Sequence, residues 1–276
     1  MGHYIAACGR RITAVIAACL VALGVAAGVP SGELEPGGVG DVVTVVDGDT
    51  LTLGDGRVLR LAGILAPKHG PLQDEPLADA ARAALSQLAL GHTIVIAFGG
   101  RHMDRHGRFL AQLWLAAPDG SPDGSPTGSL GPWLQEAMLA AGLARVDSMA
   151  DVRARVPEML RIEDAARRAG RGLWADPAYR LRTSEDVGTV LNSFQIVEGQ
   201  VVDVATAQGR GYVNFGADYK TDFTLAFDAA ALRLMRDAGR PLESLRGHRL
   251  RARGWVRWFN GPLIDVSHPE QIEVLD

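Results

Sequence analysis

The sequence predicts a mainly β protein of the α+β class, folded as two consecutive units. Short runs of β-branched and apolar residues recur along the chain and are separated by Gly, Asn and Asp turn signals. A few Ala- and Leu-rich segments show the spacing of an amphipathic helix instead. Residues 176–193 carry few core-type residues and divide the strand pattern into two groups, so we expect a linker there.

The first unit, residues 41–175, is expected to contain five strands and three helices. Strands are predicted where β-formers cluster between turn signals, at 42–46, 50–53, 58–64, 93–98 and 109–115. Helical spacing predicts helices at 76–90, 133–141 and 156–169. Residues 117–131 are rich in Pro, Gly, Ser and Asp and are expected to form a flexible hairpin tip. The order is therefore three strands, a helix, two strands and two helices.

The second unit, residues 194–276, is also predicted to be a β domain. Its strands are expected at 195–204, 211–215, 223–227, 249–259, 263–266 and 272–275, with one helix at 229–238. A single helix after the third of these short strands indicates a small closed barrel of the OB type.

The N-terminus has the pattern of an export signal. Arg10 and Arg11 precede an apolar run that continues to Val29, and a Pro- and Gly-containing segment follows at 30–40. We expect residues 1–29 to be a signal peptide or an N-terminal anchor, and residues 30–40 to be a linker. The protein is accordingly expected to be periplasmic or secreted. Cys8 and Cys19 both lie in this leader, so a cleaved protein would contain no disulfide.

The composition limits how the chain attracts charged partners. It has 28 basic and 32 acidic residues, giving a formal net charge of −4. The overall electric field therefore does not favour a polyanion, and any contact with nucleic acid must come from a local patch. The sequence does not define an oligomeric state.

Five segments resemble the staphylococcal nuclease (thermonuclease) family. They are VDGDT at 46–50, RLAGILAP at 60–67, DRHGR at 104–108, QEAMLAAGLARV at 135–146 and RGLW at 171–174. Their order along one unit makes the resemblance much more specific than any one of them alone. The resemblance implies an OB barrel with three helices for residues 41–175.

The resemblance also implies Ca²⁺-assisted hydrolysis of nucleic-acid phosphodiesters. Such a site uses two Asp to hold the ion, a Glu to orient water and two Arg on the phosphate. Asp49 matches the first Asp, and Arg60 and Arg108 match the two arginines. Leu65 stands in place of the second Asp, and Lys68 stands in place of the Glu.

These two substitutions predict a site without its metal. Ca²⁺ takes about 6–8 oxygen ligands, so Asp49 beside the ammonium of Lys68 makes an incomplete cage. A protonated Lys is also no general base. We therefore expect Arg60, Lys68 and Arg108 to bind phosphate without calcium. The alternative is that Arg60 and Arg108 simply pair with Asp49 and Asp104.

Three functions are compatible with this pattern. The first is a catalytically degenerate nuclease that binds DNA or RNA. The second is an active Ca²⁺-dependent endonuclease in which Asp74 or Glu75 replaces the missing acids, although negative charge there also suits the start of a helix. The third is a non-catalytic interaction module of the cell envelope. The residues do not decide whether hydrolysis survives.

The second unit carries a possible nucleic-acid surface. Alternation over 249–257 places five residues on one face of a strand, namely Arg249, Arg251, Arg253, Trp255 and Arg257. Arginine interleaved with aromatic residues on a small barrel favours nucleic acid as its ligand. A solvated face opposite a buried one is the alternative.

Overall fold

The computed structural model describes residues 34–70, 74–117, 130–218 and 220–276. The expected leader lies outside these residues, and so does most of the expected hairpin tip. Within the described ranges, no helix has the length and apolar character needed to cross a membrane.

The first unit is a closed five-stranded barrel with three helices. The barrel strands are β1 (Glu35–Asp47), β2 (Thr50–Leu53), β3 (Val58–Leu61), β5 (Thr93–Phe98) and β6 (Phe109–Ala116). They pair in the order β3–β2–β1–β5–β6, and β3 also pairs in parallel with β6, which closes the sheet.

Three shorter strands and three helices complete the first unit. The shorter strands are β4 (Ile64–Leu65), β7 (Leu130–Trp133) and β8 (Arg145–Val146). The helices are α1 (Ala78–Ala89), α2 (Leu134–Ala140) and α3 (Val156–Arg168). The predicted OB barrel and its order of elements are confirmed.

Two strands of this barrel differ from the prediction. β1 begins at Glu35, because residues that are poor strand formers on their own pair with β5 from Glu35 to Asp41. Gly37 permits this approach, since a Cβ there would lie 2.7 Å from Cγ2 of Ile96. The strand predicted at 58–64 is broken by a turn at Gly63, where φ is +83°. Residues 64–65 therefore form β4, which pairs with β8.

The turn between β1 and β2 packs closely against α1. A Cβ on Gly48 would lie 2.6 Å from Cβ of Ala81 and 2.7 Å from Cβ of Ala66. Leu51 of β2 and Leu85 of α1 belong to the same buried core. Close packing of small residues therefore fixes the turn that carries Asp47 and Asp49.

The second unit is another barrel with the same strand order. Its strands are β10 (Ser193–Gln200), β11 (Asp203–Ala207), β12 (Arg210–Asn214), β13 (Thr224–Phe227), β14 (Arg249–Trp258), β15 (Pro262–Val266) and β16 (Ile272–Val274). The sheet runs β11–β12–β13–β15–β14–β10, with α4 (Ala229–Asp237) between its third and fourth main strands. The single strand predicted at 195–204 is bent, because its first half pairs with β14 and its second half with β12. The predicted OB-like barrel is confirmed.

The two barrels contact each other through buried residues. Leu65 of the first barrel packs with Phe194 and Ile196 of the second, flanked by Trp174 and Leu181. The segment between the barrels contains short 3-10 turns and a two-residue strand, β9 (Arg182–Thr183), which pairs in parallel with β10.

Polar contacts complete this interface. Ser148 Oγ lies 2.7 Å from Nε2 of the buried His268. Glu163 of α3 lies 2.7 Å from Nη1 of Arg253, and both of these side chains are almost completely buried. The interface therefore buries charged groups as well as apolar side chains.

Candidate functional site

Asp49 is fully buried and its carboxylate is saturated with protein donors. Its Oδ2 accepts a hydrogen bond from the backbone N–H of Ala66 at 2.9 Å. Its Oδ1 accepts from the hydroxyl of Thr50 at 2.9 Å and from Nζ of Lys68 at 2.7 Å. The turn itself is held by Asp47, whose Oδ1 accepts from the backbone N–H of Asp49 at 2.9 Å. Both oxygens of Asp49 are thus occupied by groups of this chain.

The ammonium of Lys68 lies between two carboxylates. Its Nζ is 2.6 Å from Oδ2 of Asp47 and 2.7 Å from Oδ1 of Asp49. Burial opposes the charge on Asp47, but attraction to Lys68 together with hydrogen bonds from Lys68 and Asp49 outweighs burial and lowers the pKa of Asp47 below its ordinary value. The two N–O distances are close to the 2.3–2.6 Å or so that separates Ca²⁺ from its oxygen ligands. The ammonium therefore takes the place that a cation would need.

Leu65 occupies the position of the second acid in the resemblance. It is only 7% exposed and packs against Phe194 and Ile196 of the second barrel. The Leu65 side chain is thus buried in the contact between the barrels. A carboxylate at this position would lose its hydration, which is energetically unfavourable.

The residues present do not fit a calcium ion. Among the residues that the structure describes, no cluster of three or more His, Cys, Asp or Glu side chains is suited to hold a metal. The saturated carboxylate of Asp49, the ammonium of Lys68 and the buried Leu65 give the physical reasons.

Arg60 projects from the outer face of β3 and contacts a different acid from the one expected. Its Nη2 is 3.8 Å from Oδ2 of Asp147, so the suggested pairing of Arg60 with Asp49 is wrong. Asp147 directly follows β8, and its backbone N–H donates to the carbonyl of Gly63 at 2.9 Å. Burial raises the pKa of Asp147 to about 6, although Arg60 and Arg145 oppose the rise. In the sequence, Asp147 is marked only by its position directly after the segment 135–146 that resembles the family.

The shifted pKa of Asp147 predicts how stability depends on pH. The folded protein keeps a proton on this carboxyl up to about pH 6, whereas the unfolded chain releases it near the ordinary value of 3.8. The stability of the wild type relative to Asp147→Asn is therefore expected to fall as pH rises from about 4 to about 6, by up to about 3 kcal/mol. Chemical unfolding of both proteins at acidic and neutral pH measures this difference. A difference that is the same at both ends of the range would contradict the prediction.

Arg108 pairs with Asp104 within its own loop. Its Nη2 is 2.7 Å and its Nε is 2.8 Å from Oδ2 of Asp104. Asp104 also accepts from the backbone N–H groups of His106 and Arg108, at 2.8 and 3.0 Å. The alternative that Arg108 pairs with Asp104 is therefore confirmed. The Arg108 side chain is still 23% exposed, so it remains accessible to a ligand.

The strand register brings Arg60 and Arg108 to the same side of the barrel. In the parallel pair of β3 and β6, Arg60 lies opposite Leu110, and Arg108 lies two residues before Leu110. Because side chains alternate across a strand, both arginines are on the outer face. The role of Arg60, Lys68 and Arg108 as phosphate ligands stays a prediction.

Asp74 and Glu75 are held away from the role of substitute acids. Asp74 lies 3.2 Å from Nδ1 of the exposed His69. Glu75 accepts from the backbone N–H of Lys68 at 3.0 Å and from Nη2 of Arg145 at 3.2 Å. Neither side chain caps α1, which begins at Ala78 with Asp79 as the acid in its first turn. Glu75 instead neutralises the buried Arg145.

The basic stripe of the second barrel is largely neutralised. Arg251 pairs with Glu198, Glu273 and Asp164, and Arg253 is buried between Glu163 and Glu273. Alternation placed these arginines on one outer face correctly, but Asp164 and Glu163 of α3 in the first barrel lie against Arg251 and Arg253. These two arginines are therefore not open to a nucleic acid.

The fold and the site together define a nuclease-type OB domain, and comparison with known proteins agrees. The family model "Staphylococcal nuclease homologue" matches residues 58–176. A protein of Escherichia coli named "Protein ParB" is 31% identical over 139 residues, which cover 50% of this chain and 73% of that protein. The chain therefore belongs to the staphylococcal nuclease family. Membership supports a nuclease-like or nucleic-acid-binding function. The family match ends before the second barrel begins.

Proposed function

We propose that this protein binds nucleic-acid phosphodiesters through its first barrel without calcium and has lost ordinary calcium-dependent hydrolysis. The observation that carries the proposal is the ammonium of Lys68 between Asp47 and Asp49. A fixed positive charge at this place repels a divalent ion, weakens its attraction to the two carboxylates and occupies the position between them.

The binding part of the proposal rests on the two outward-facing arginines. The contact of Arg60 with Asp147 is 3.8 Å long, which is too long for a hydrogen bond, so a phosphate oxygen can replace it at small cost. Nε and Nη2 of Arg108 both contact one oxygen of Asp104, Oδ2, and the guanidinium has further N–H donors to offer. Lys68 is 30% exposed, and its ammonium is already paired with Asp47 and Asp49, so the two arginines carry the binding.

The loss of hydrolysis follows from the residues that would activate water. The position expected to orient water is Lys68, whose ammonium is held by two carboxylates and offers no lone pair. Glu75, which the sequence suggested as a replacement, is bound to Lys68 N–H and Arg145.

We also propose that the protein is exported, because Arg10 and Arg11 precede an apolar run. Mass spectrometry that finds an intact Met1 in a cytosolic fraction would refute export.

Binding to a short oligonucleotide tests the proposed function. We expect Arg108→Ala to weaken binding about tenfold and to lower the slope of log affinity against log salt by about one. Replacement of calcium by a chelator is expected to change nothing. Arg82→Ala, on an exposed face of α1 and paired only with Asp79, is the matched control.

Hydrolysis of DNA and RNA is measured in the same samples. We expect no cleavage above background, with calcium or with a chelator. Calcium-dependent cleavage by the wild type would overturn the degenerate-site proposal. Unchanged binding by both Arg108→Ala and Arg60→Ala would overturn the phosphate-binding role of the first barrel.

A further inference from the structure

The outer face of the second barrel is built across five adjacent strands. One row of residues crosses it in strict register and consists of Asp203, Asn214, Thr224, Leu263 and Arg257. The core side of the same strands carries the buried apolar residues, including Val213, Leu225 and Ile264. The row therefore faces away from the core, with Asn214, Thr224 and Leu263 buried and Asp203 and Arg257 partly exposed at its two ends.

A cleft of about 400 Å³ lies on this face. Small residues line much of it, namely Ala205, Ala207, Gly216 and Ala217. Tyr212 also lines the cleft, and Phe259 and Asn260 contribute from the turn between β14 and β15. This volume falls at the lower end of the 300–1,000 Å³ or so that small-molecule sites occupy, which suits one planar ring with its substituents.

One large aromatic side chain, Phe259, lines this cleft and is 56% exposed. The guanidinium of Arg257 lies 5.5 Å from the ring centre of Phe259. Exposed aromatic rings beside arginine offer a stacking platform for a base, because every base has a π-face.

Arginine donors at the same edge suit a phosphate. Arg257 donates to both oxygens of Asp265, at 2.5 and 3.0 Å, and Nη2 of Arg210 lies 3.4 Å from the same carboxylate. Two guanidinium groups thus share the one carboxylate of Asp265. The nearby Arg246 is balanced by Asp203, 2.6 Å away, and Oδ2 of Asp222 lies beside Gly216 of the cleft. The N–H groups of Arg257 and Arg210 that Asp265 does not use can donate to a phosphate oxygen.

We propose that this face of the second barrel binds single-stranded nucleic acid, with a base stacked on Phe259 in the cleft and the backbone beside Arg257 and Arg210. The inference rests on the proposed function of the first barrel and extends it to a second contact on the same strand of nucleic acid. Bases in a duplex are stacked on one another and cannot enter the cleft, so the site selects single strands.

The test is fluorescence anisotropy of a labelled twelve-nucleotide oligothymidylate with the full chain. Phe259→Ala is expected to weaken binding about tenfold, and Tyr212→Ala, which also removes a ring from the lining of the cleft, is expected to act in the same direction. Trp258→Ala is the matched control, because Trp258 is 60% exposed beside Phe259 but does not line the cleft. Equal affinity of the Phe259, Tyr212 and Trp258 variants for the oligonucleotide would overturn the inference.

Arg108→Ala, measured in parallel, separates this inference from the proposed function. If Arg108→Ala weakens binding and Phe259→Ala does not, the first barrel binds alone and the inference fails. If only Phe259→Ala weakens binding, the second site stands and the role of the first barrel fails. A duplex of the same length that competes as well as the single strand would also overturn the inference. Unfolding midpoints equal to that of the wild type verify that each variant is folded.

Discussion

Replacing Glu163 by alanine is expected to lower the free energy of unfolding by about 3–5 kcal/mol. Glu163 and Arg253 are 3% and 2% exposed and lie 2.7 Å apart across the contact between the barrels. Without Glu163, the buried guanidinium loses one of its two carboxylates. The backbone N–H of Val146 in β8 also loses its acceptor, which now lies 2.6 Å away. Denaturant unfolding at neutral pH measures the effect.

Two further variants identify the cause. Glu158→Ala removes an acid from the same helix, but Glu158 is 36% exposed with its partner Arg155, so we expect a loss of no more than about 1 kcal/mol. The double variant Glu163→Gln with Arg253→Met removes the buried charges together and is expected to be more stable than Glu163→Ala. Equal losses for Glu163→Ala and Glu158→Ala would show that the buried pair contributes no more than a surface pair.

Lys68→Glu is expected to turn a calcium-insensitive protein into one that calcium stabilises. Without calcium, the change leaves the buried Asp49 beside Asp47 and a third carboxylate, and we expect a loss of several kcal/mol. With calcium, oxygens of Asp47 and Asp49 that already point to one place gain a divalent partner. A calcium concentration about a hundredfold above the dissociation constant then restores about 2.7 kcal/mol.

Thermal unfolding with calcium and with a chelator measures this response. The matched control is Lys68→Met, which removes the ammonium but adds no acid, so we expect it to be destabilised and to respond weakly to calcium. The wild type is expected to show no response. A wild type that calcium stabilises as much as Lys68→Glu would contradict the assignment of Lys68 as the internal counter-ion.

The sequence predicted the architecture well because local patterns determine it. Strand alternation and Gly turns placed the barrel strands, and Asp104 and Arg108 pair within one short loop. Contacts between distant segments were not predictable in this way. Lys68 finds Asp47 only because the turn at Gly48 packs under α1, and Arg60 meets Asp147 only because β8 joins β4.

The arginines of β14 also make contacts with a distant segment that the sequence could not predict. Alternation placed Arg251 and Arg253 on one outer face, which the structure bears out. No local pattern could say that α3 of the other barrel would cover that face and bring Glu163 and Asp164 to these arginines. Surface charge in a sequence predicts a binding face only when nothing else in the chain packs on it.

The burial of Leu65 against Phe194 and Ile196 restricts how this chain can evolve. A mutation of Leu65 to aspartate would place a charge in an apolar contact and destabilise the fold, with no bound cation to offset the cost. Selection for stability would therefore remove it. An aspartate at position 65 therefore requires Phe194 and Ile196 to change beforehand. The contact with the second barrel thus limits which substitutions the first barrel can accept.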